Sequence, residues 1–209
     1  MPTNFPTSVD NFTNPTANDS LNLPSHSTQH ANANDAIEAV ESYLLTGLGK
    51  NGLVHISTAT YTSTTTINID NVFSSTYDNY YITFETTASS AAANLFLNLR
   101  AGGATTSTNF GYQLVEAAGS GITATQGSTS FIGIVGGTVD SNFIDVSIFK
   151  PNLAKNTTYF ARVFAVASGV TFNEDTKGAQ ASTTQFDGVQ FNSAATMSAK
   201  VSVYGYRKS

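Results

Sequence analysis

The 209-residue chain contains neither cysteine nor tryptophan, and only 11% of its residues carry a charge. The missing cysteines exclude a disulfide framework, a thiol nucleophile and a cysteine-based zinc site, so stability must come from packing or oligomerisation. No apolar run approaches the length that crosses a bilayer, and the opening MPTNFPTSVD lacks the basic and apolar regions of a secretory signal. The expectation is a soluble chain made without export and without membrane insertion. Basic residues are also absent from the beginning. Every Lys and Arg lies at or beyond Lys50, whereas Asp10, Asp19, Asp35, Glu38 and Glu41 precede it, so the formal charge of -5 sits ahead of Lys50. Without a basic stripe to neutralise phosphates, nucleic-acid binding is not expected.

What is present divides into three stretches. Residues 1–33 hold Pro2, Pro6, Pro15 and Pro24 among many Asn, Ser and Thr, with only scattered hydrophobes. Such a composition cannot pack a core by itself. We read it as an extended attachment arm whose Phe5, Val9, Phe12, Leu21 and Leu23 anchor on the surface of another protein.

Residues 34–50 read as a short helix and linker. Asp35-Ala-Ile-Glu38 has the spacing of a capping box, and Gly47 supplies a left-handed stop. Between them Ile37, Val40 and Leu44 follow the spacing of a coiled-coil seam, extended backward by Ala33. Twelve residues make too short a helix to persist alone in water. The stripe must lie either on its own chain or on identical helices of other copies, and the second option predicts a homotrimer.

From residue 51 onward the hydrophobic period changes to two. Tyr80, Ile82 and Phe84 alternate with polar residues in NYYITFET, Leu95, Leu97 and Leu99 do so in NLFLNLR, and Ile144, Val146 and Ile148 share one face of NFIDVSIFK. LVHIST, TTINIDNVF, FGYQLVEA, SFIGIV, TYFARVFAV, TQFDGVQF and KVSVYGYR continue the pattern, separated by Gly, Asn, Asp and Ser clusters. The expected fold is all-β, an antiparallel jelly-roll-like β-sandwich over 51–209, preceded by the arm and the one short helix.

Candidates for chemistry are few. His26 and His30 stand four apart, but Ser27 occupies the place where hydrolytic zinc helices carry a glutamate. Because the pair also precedes the expected helix cap, we read both as hydrogen-bonding residues, with no metal and no cofactor, the alternative being a structural ion shared between symmetry-related copies. His55 is the sole histidine of the β region, and no nucleophile-elbow sequence accompanies it. Glu174 with Asp175, or Asp140 with Asp145, could serve glycoside hydrolysis, which usually needs a groove lined by large aromatics. No catalytic residue is assigned, and the chain is not expected to be an enzyme. FNEDTKG lacks the ligand count of a calcium loop and reads as an exposed turn. Tyr77, Tyr80, Tyr81 and Tyr112 could stack on a sugar, although strand tyrosines more often belong to a core.

Residues 5 to 47, FPTSVDNFTNPTANDSLNLPSHSTQHANANDAIEAVESYLLTG, resemble the N-terminal module of small structural proteins of tailed bacteriophages. YYITFE, LFLNLRAGG and the closing YGYRK are similar to β modules of phage tail-fibre and head-fibre proteins. The resemblance implies a virion component assembled in the host cytoplasm and displayed on the particle surface. Its arm would bind other virion proteins, and its sandwich would project outward as a homotrimer to meet a host surface glycan or protein. A short tail fibre or receptor-binding protein is the first expectation. A capsid decoration, cement or head-fibre protein is the alternative, and a carbohydrate-active enzyme a third.

Overall fold

A computed structural model of the chain describes residues 25–46, 52–135, 142–167 and 169–208. The expected arm anchors Phe5, Val9, Phe12, Leu21 and Leu23 lie outside the described residues, as does Asp140. The chain divides into two compact units, Met1–Gly52 with Ser209, and Leu53–Lys208.

In the first unit, helix α1 spans His26–Thr46, nine residues longer at its start than the expected 35–46. Residues 26–33, assigned above to the extended arm, are therefore helical. The cap is Ser25. Its Oγ accepts a hydrogen bond from the Thr28 amide at 3.2 Å, and its carbonyl accepts the first helical bond, from the Gln29 amide at 3.1 Å. A side-chain acceptor bonding the third helical amide is what a helix start needs. Asp35, the expected cap, sits exposed in the helix interior. Ile37, Val40 and Leu44 are 57, 42 and 50% exposed, so the apolar stripe is uncovered in the single chain.

The second unit is all-β and antiparallel, as expected, with eleven strands in one continuous hydrogen-bonded network. In chain order they are β1 (Leu53–Ile69), β2 (Tyr77–Ser89), β3 (Ala93–Ala101), β4 (Ala104–Thr106), β5 (Phe110–Ala118) and β6 (Gly121–Gly127). They continue with β7 (Phe131–Val135), β8 (Asn142–Phe149), β9 (Thr157–Ala167), β10 (Val170–Gln180) and β11 (Gly188–Arg207). LVHIST and TTINIDNVF thus belong largely to one strand, β1. FNEDTKG is no turn: Phe172–Gly178 forms the middle of β10, bonded to β9 on one side and β5 on the other. Its polar residues hid a strand because one face of this part of the sheet is solvated.

β11 is the spine. Its first part, Gly188–Ser193, pairs with β3, its later part, from Met197, pairs with β2, and β1 runs along its other edge. β7 and β4 extend the sheet beyond β3, while β8, β9, β10, β5 and β6 follow β2 in that order. The sheet then curls onto itself, which buries both inner faces as in a sandwich. Tyr159 on β9 donates its hydroxyl to the Phe131 carbonyl on β7 at 3.1 Å, and Phe84 on β2 meets Phe191 on β11 with ring centres 5.0 Å apart. The alternating sets read from sequence, Tyr80/Ile82/Phe84, Leu95/Leu97/Leu99 and Ile144/Val146/Ile148, all line this core.

One corner of the core is ionic. Arg100 of β3 is buried and forms a two-pronged pair with Asp70, Nε to Oδ1 at 2.6 Å and Nη2 to Oδ2 at 3.2 Å. It also donates to Thr105 Oγ1, Asn68 Oδ1 and the Gly103 carbonyl. The guanidinium thereby ties the end of β1 to the β3–β4 turn, where Gly102 and Gly103 take positive φ values of 57° and 80° that other residues adopt at a cost.

Candidate functional site

Side chains alternate across a strand, so residues in register on neighbouring strands form rows on one face of a sheet. One outward row crosses the sheet from β1 to β6. His55 on β1 pairs with Tyr204 on β11, Tyr204 with Tyr81 on β2, Tyr81 with Ser147 on β8, and Ser147 with Phe160 on β9. The row continues through Lys177 on β10, Gln113 on β5 and Gln126 on β6. Every member is half-buried or exposed. At about 4.8 Å per strand the row runs roughly 34 Å along the sheet.

Three pairs of its members stand close together. The rings of His55 and Tyr204 are 5.5 Å apart, those of Tyr81 and Tyr204 6.3 Å apart, and the Lys177 ammonium lies 5.9 Å from the Phe160 ring centre. His55 Nε2 is 2.8 Å from Thr58 Oγ1, which is in turn 2.8 Å from Ser202 Oγ. Burial, with the nearby Asp145 carboxylate, raises the Tyr81 hydroxyl above its ordinary pKa, so it stays protonated and able to donate. The row ends in an open concavity of about 740 Å³ lined by Tyr112, Gln113, Gln126, Ser128, Lys177 and the backbone of several glycines. Aromatic faces followed by amide and ammonium groups offer apolar platforms and directed hydrogen bonds to one extended ligand.

The four tyrosines singled out from sequence do not converge. Tyr80 is fully buried, accepts from the Ser74 amide at 2.6 Å and donates to the Ser74 carbonyl at 2.9 Å. It is a core residue and no ligand platform, as its phase with Ile82 and Phe84 required. Tyr77 is half-buried against Tyr80 and lies across Gly205. Tyr81 belongs to the row, whereas Tyr112, four strands away in the sheet order, turns its ring to the inner face, 5.4 Å from the Phe131 ring, and borders the concavity from the strand beneath it. Sequence reading missed Tyr204, Phe160, Lys177, Gln113 and Gln126. Tyr204 alone carried a signal, being out of phase with Val201 and Val203.

The suspected carboxylate pairs also change partners. Glu174 is buried while Asp175 is exposed on the opposite face, and Asp145 pairs with Arg162, Oδ2 to Nη2 at 3.0 Å. The neighbour of Glu174 is Glu116, directly across on β5. Burial, reinforced by the Glu116 carboxylate, pushes the Glu174 acid up to about 7. As a carboxylate, Glu174 has no hydrogen-bond partner for either oxygen, whereas the protonated acid can donate to Glu116. Glu174 is closed inside the sheet, while Glu116 is half-buried.

In α1 the histidines are brought together. His26 and His30 occupy the first turns of one helix with their Nε2 atoms 3.0 Å apart and their rings edge to face. The expectation that they precede the helix, and so need not share a face, is overturned by the Ser25 cap. Among the described residues no helix is long and apolar enough to cross a membrane. Compared with known proteins, the chain matches no family model, no curated protein and no solved structure.

Proposed function

We propose that the chain is a bacteriophage virion protein, a short tail fibre or receptor-binding protein that recognises an extended host-surface glycan. The observation that carries the recognition role is the outward row from His55 through Tyr204, Tyr81 and Phe160 to Lys177, Gln113 and Gln126. A single small metabolite would not use so long a line of half-exposed rings and amides, whereas a chain of sugars would stack on the rings and bond to the amides. The N-terminal resemblance supports the virion setting. In this reading residues preceding α1 attach to other virion proteins, and α1 gathers three copies through Ile37, Val40 and Leu44. Three copies presenting the row together gain avidity from individually weak sites.

The test is binding of the purified full chain to a panel of bacterial surfaces and to polysaccharide extracted from whichever strain retains it. Tyr81→Ala combined with Tyr204→Ala should reduce retention at least tenfold without loss of fold. Equal retention of wild type and double variant on every surface would sink the recognition role. Release of soluble sugar during incubation would instead point to a carbohydrate-active enzyme.

A capsid decoration role is favoured by a different observation. On the same outer face Phe143 and Phe164 lie directly opposite each other, 45 and 55% exposed, in a row that reaches Ala117 and Ile122. Exposed paired phenylalanines suit lateral contact with another protein. Locating the protein on imaged particles, at the tail or over the capsid, separates the two readings.

A further inference from the structure

We infer that the far end of the outward row is a carboxylate subsite, in which Lys177, Gln113 and Gln126 hold the acid group of a uronic or other carboxylated sugar within the extended ligand. The inference rests on the recognition role proposed above and names the class of sugar that role requires. Lys177, Gln113 and Gln126 are consecutive in register across β10, β5 and β6, all three exposed on the same outward face. With about 4.8 Å from strand to strand, Gln113 in the middle can share one ligand group with either neighbour.

The donors here are unspent. The other glutamines of the β unit are tied within the chain: Gln180 donates to the Thr108 carbonyl, Gln185 to the Asn152 carbonyl, and Gln190 to Asn68 and Thr105. Among the described residues the side chains of Gln113 and Gln126 have no such partner, and Lys177 enters no ion pair. Acids on the same face stand against other cations. Glu85 is opposite Lys200, Asp145 bonds to Arg162, and Asp175, two residues from Lys177 on β10, has Arg162 as its register partner. Lys177 has Phe160 and Gln113 beside it instead, with its ammonium 5.9 Å from the Phe160 ring centre. Past these side chains the face drops away. The next outward pair is Ala179 opposite Gly111, and a side chain at Gly111 would meet nothing closer than the Gly127 carbonyl at 3.8 Å. The concavity left there, about 740 Å³, is of the size of ligand sites, and among the described residues no acid lines it. A neutral sugar seated in it would crowd the ammonium without supplying a counter-charge. A carboxylate would take a charge-assisted bond from Lys177 and a second bond from the amide of Gln113 or Gln126. A phosphate group calls for guanidinium forks or more charge than this one ammonium provides.

The experiment uses the full-length protein and, as probe, the polysaccharide extracted from the bacterial strain that retains it, before and after carboxyl reduction, which turns each uronate into a neutral sugar without shortening the chain. Reduction should weaken binding of the wild type at least tenfold. Lys177→Gln should lose as much on the untreated polymer, and Lys177→Arg, which keeps the charge, should recover most of it. Equal binding of wild type to the untreated and reduced polymers, or equal binding of Lys177→Gln and wild type to the untreated one, overturns the carboxylate subsite. The recognition role then stands if Tyr81→Ala with Tyr204→Ala still abolishes retention. Binding that survives carboxyl reduction but is lost when phosphate is stripped from the polymer also overturns the subsite, by assigning the anion to phosphate. A wild-type chain that no bacterial surface retains overturns both the subsite and the recognition role.

Discussion

Glu174 of β10 faces Glu116 of β5 across one antiparallel pairing, and the first of these carboxyl groups is fully buried with no donor near either oxygen. Around Glu174 the inward neighbours are Val163 and Ala161 on β9, Thr176 and Phe172 on its own strand, and Gly133 on β7. The titratable group that acts on Glu174 is Glu116 across on β5. Asp175 and Lys177 point to the other face.

This arrangement makes stability depend on pH in a definite direction. The folded acid holds its proton up to about pH 7, against an ordinary value of 4.5, so between these limits the folded state binds more protons than the unfolded state. Stability must then fall as pH rises from about 4.5 to 7 and level off above it, by an amount on the order of 3 kcal/mol. Glu174→Gln keeps the site neutral at every pH. Urea midpoints should show the variant near wild type at pH 5 and more stable at pH 8, and a variant weaker than wild type at pH 8 would contradict the assignment.

Arg100 offers a different test. Removing its guanidinium takes the donor from Asp70 and the Gly103 carbonyl and leaves Asn68 Oδ1 and Thr105 Oγ1 with Gln190 Nε2 alone, so Arg100→Ala should cost about 2–4 kcal/mol in chemical denaturation. Arg100→Lys should recover only part of that, because an ammonium cannot reproduce the two-pronged contact with Asp70. Equal stability of the lysine variant and wild type would show that charge alone matters there.

Gly178 lies under the ring of Tyr159, its register partner on β9. A methyl group at this position would collide with that ring. Gly178→Ala should lower the melting midpoint by an amount matching about 1–3 kcal/mol, the usual cost of overpacking, and pairing it with Tyr159→Phe should not relieve the clash, since ring carbons as well as the hydroxyl stand in the way.

Val40→Asp tests the seam. In the trimer proposed above, a carboxylate there would meet its own copies on the axis, where unpaired buried charge is costly. We expect light scattering to report monomers while the β unit keeps its denaturation midpoint. A variant that stays assembled would remove Val40 from any shared interface.

Hydrophobic period two from residue 51 onward was enough to define an antiparallel all-β unit and to place Ile82, Phe84, Leu97, Val146 and their neighbours inside, because alternation fixes which face of a strand is buried. The existence of one helix ahead of the β unit was equally legible. Two local signals misled. The Asp35 capping box matched a real pattern, yet Ser25 caps the helix, since either residue can cap and only the backbone's actual path chooses. FNEDTKG looked like a turn because a strand with one solvated face can carry as many polar residues as a loop. Pairings between strands distant in sequence lay beyond any local reading. Only the tertiary register sets Glu116 against Glu174, stretches a single row from His55 to Gln126, and makes Arg100 a buried clamp, because hydrogen-bond partners across a sheet are chosen by the whole chain's packing and not by neighbours in sequence.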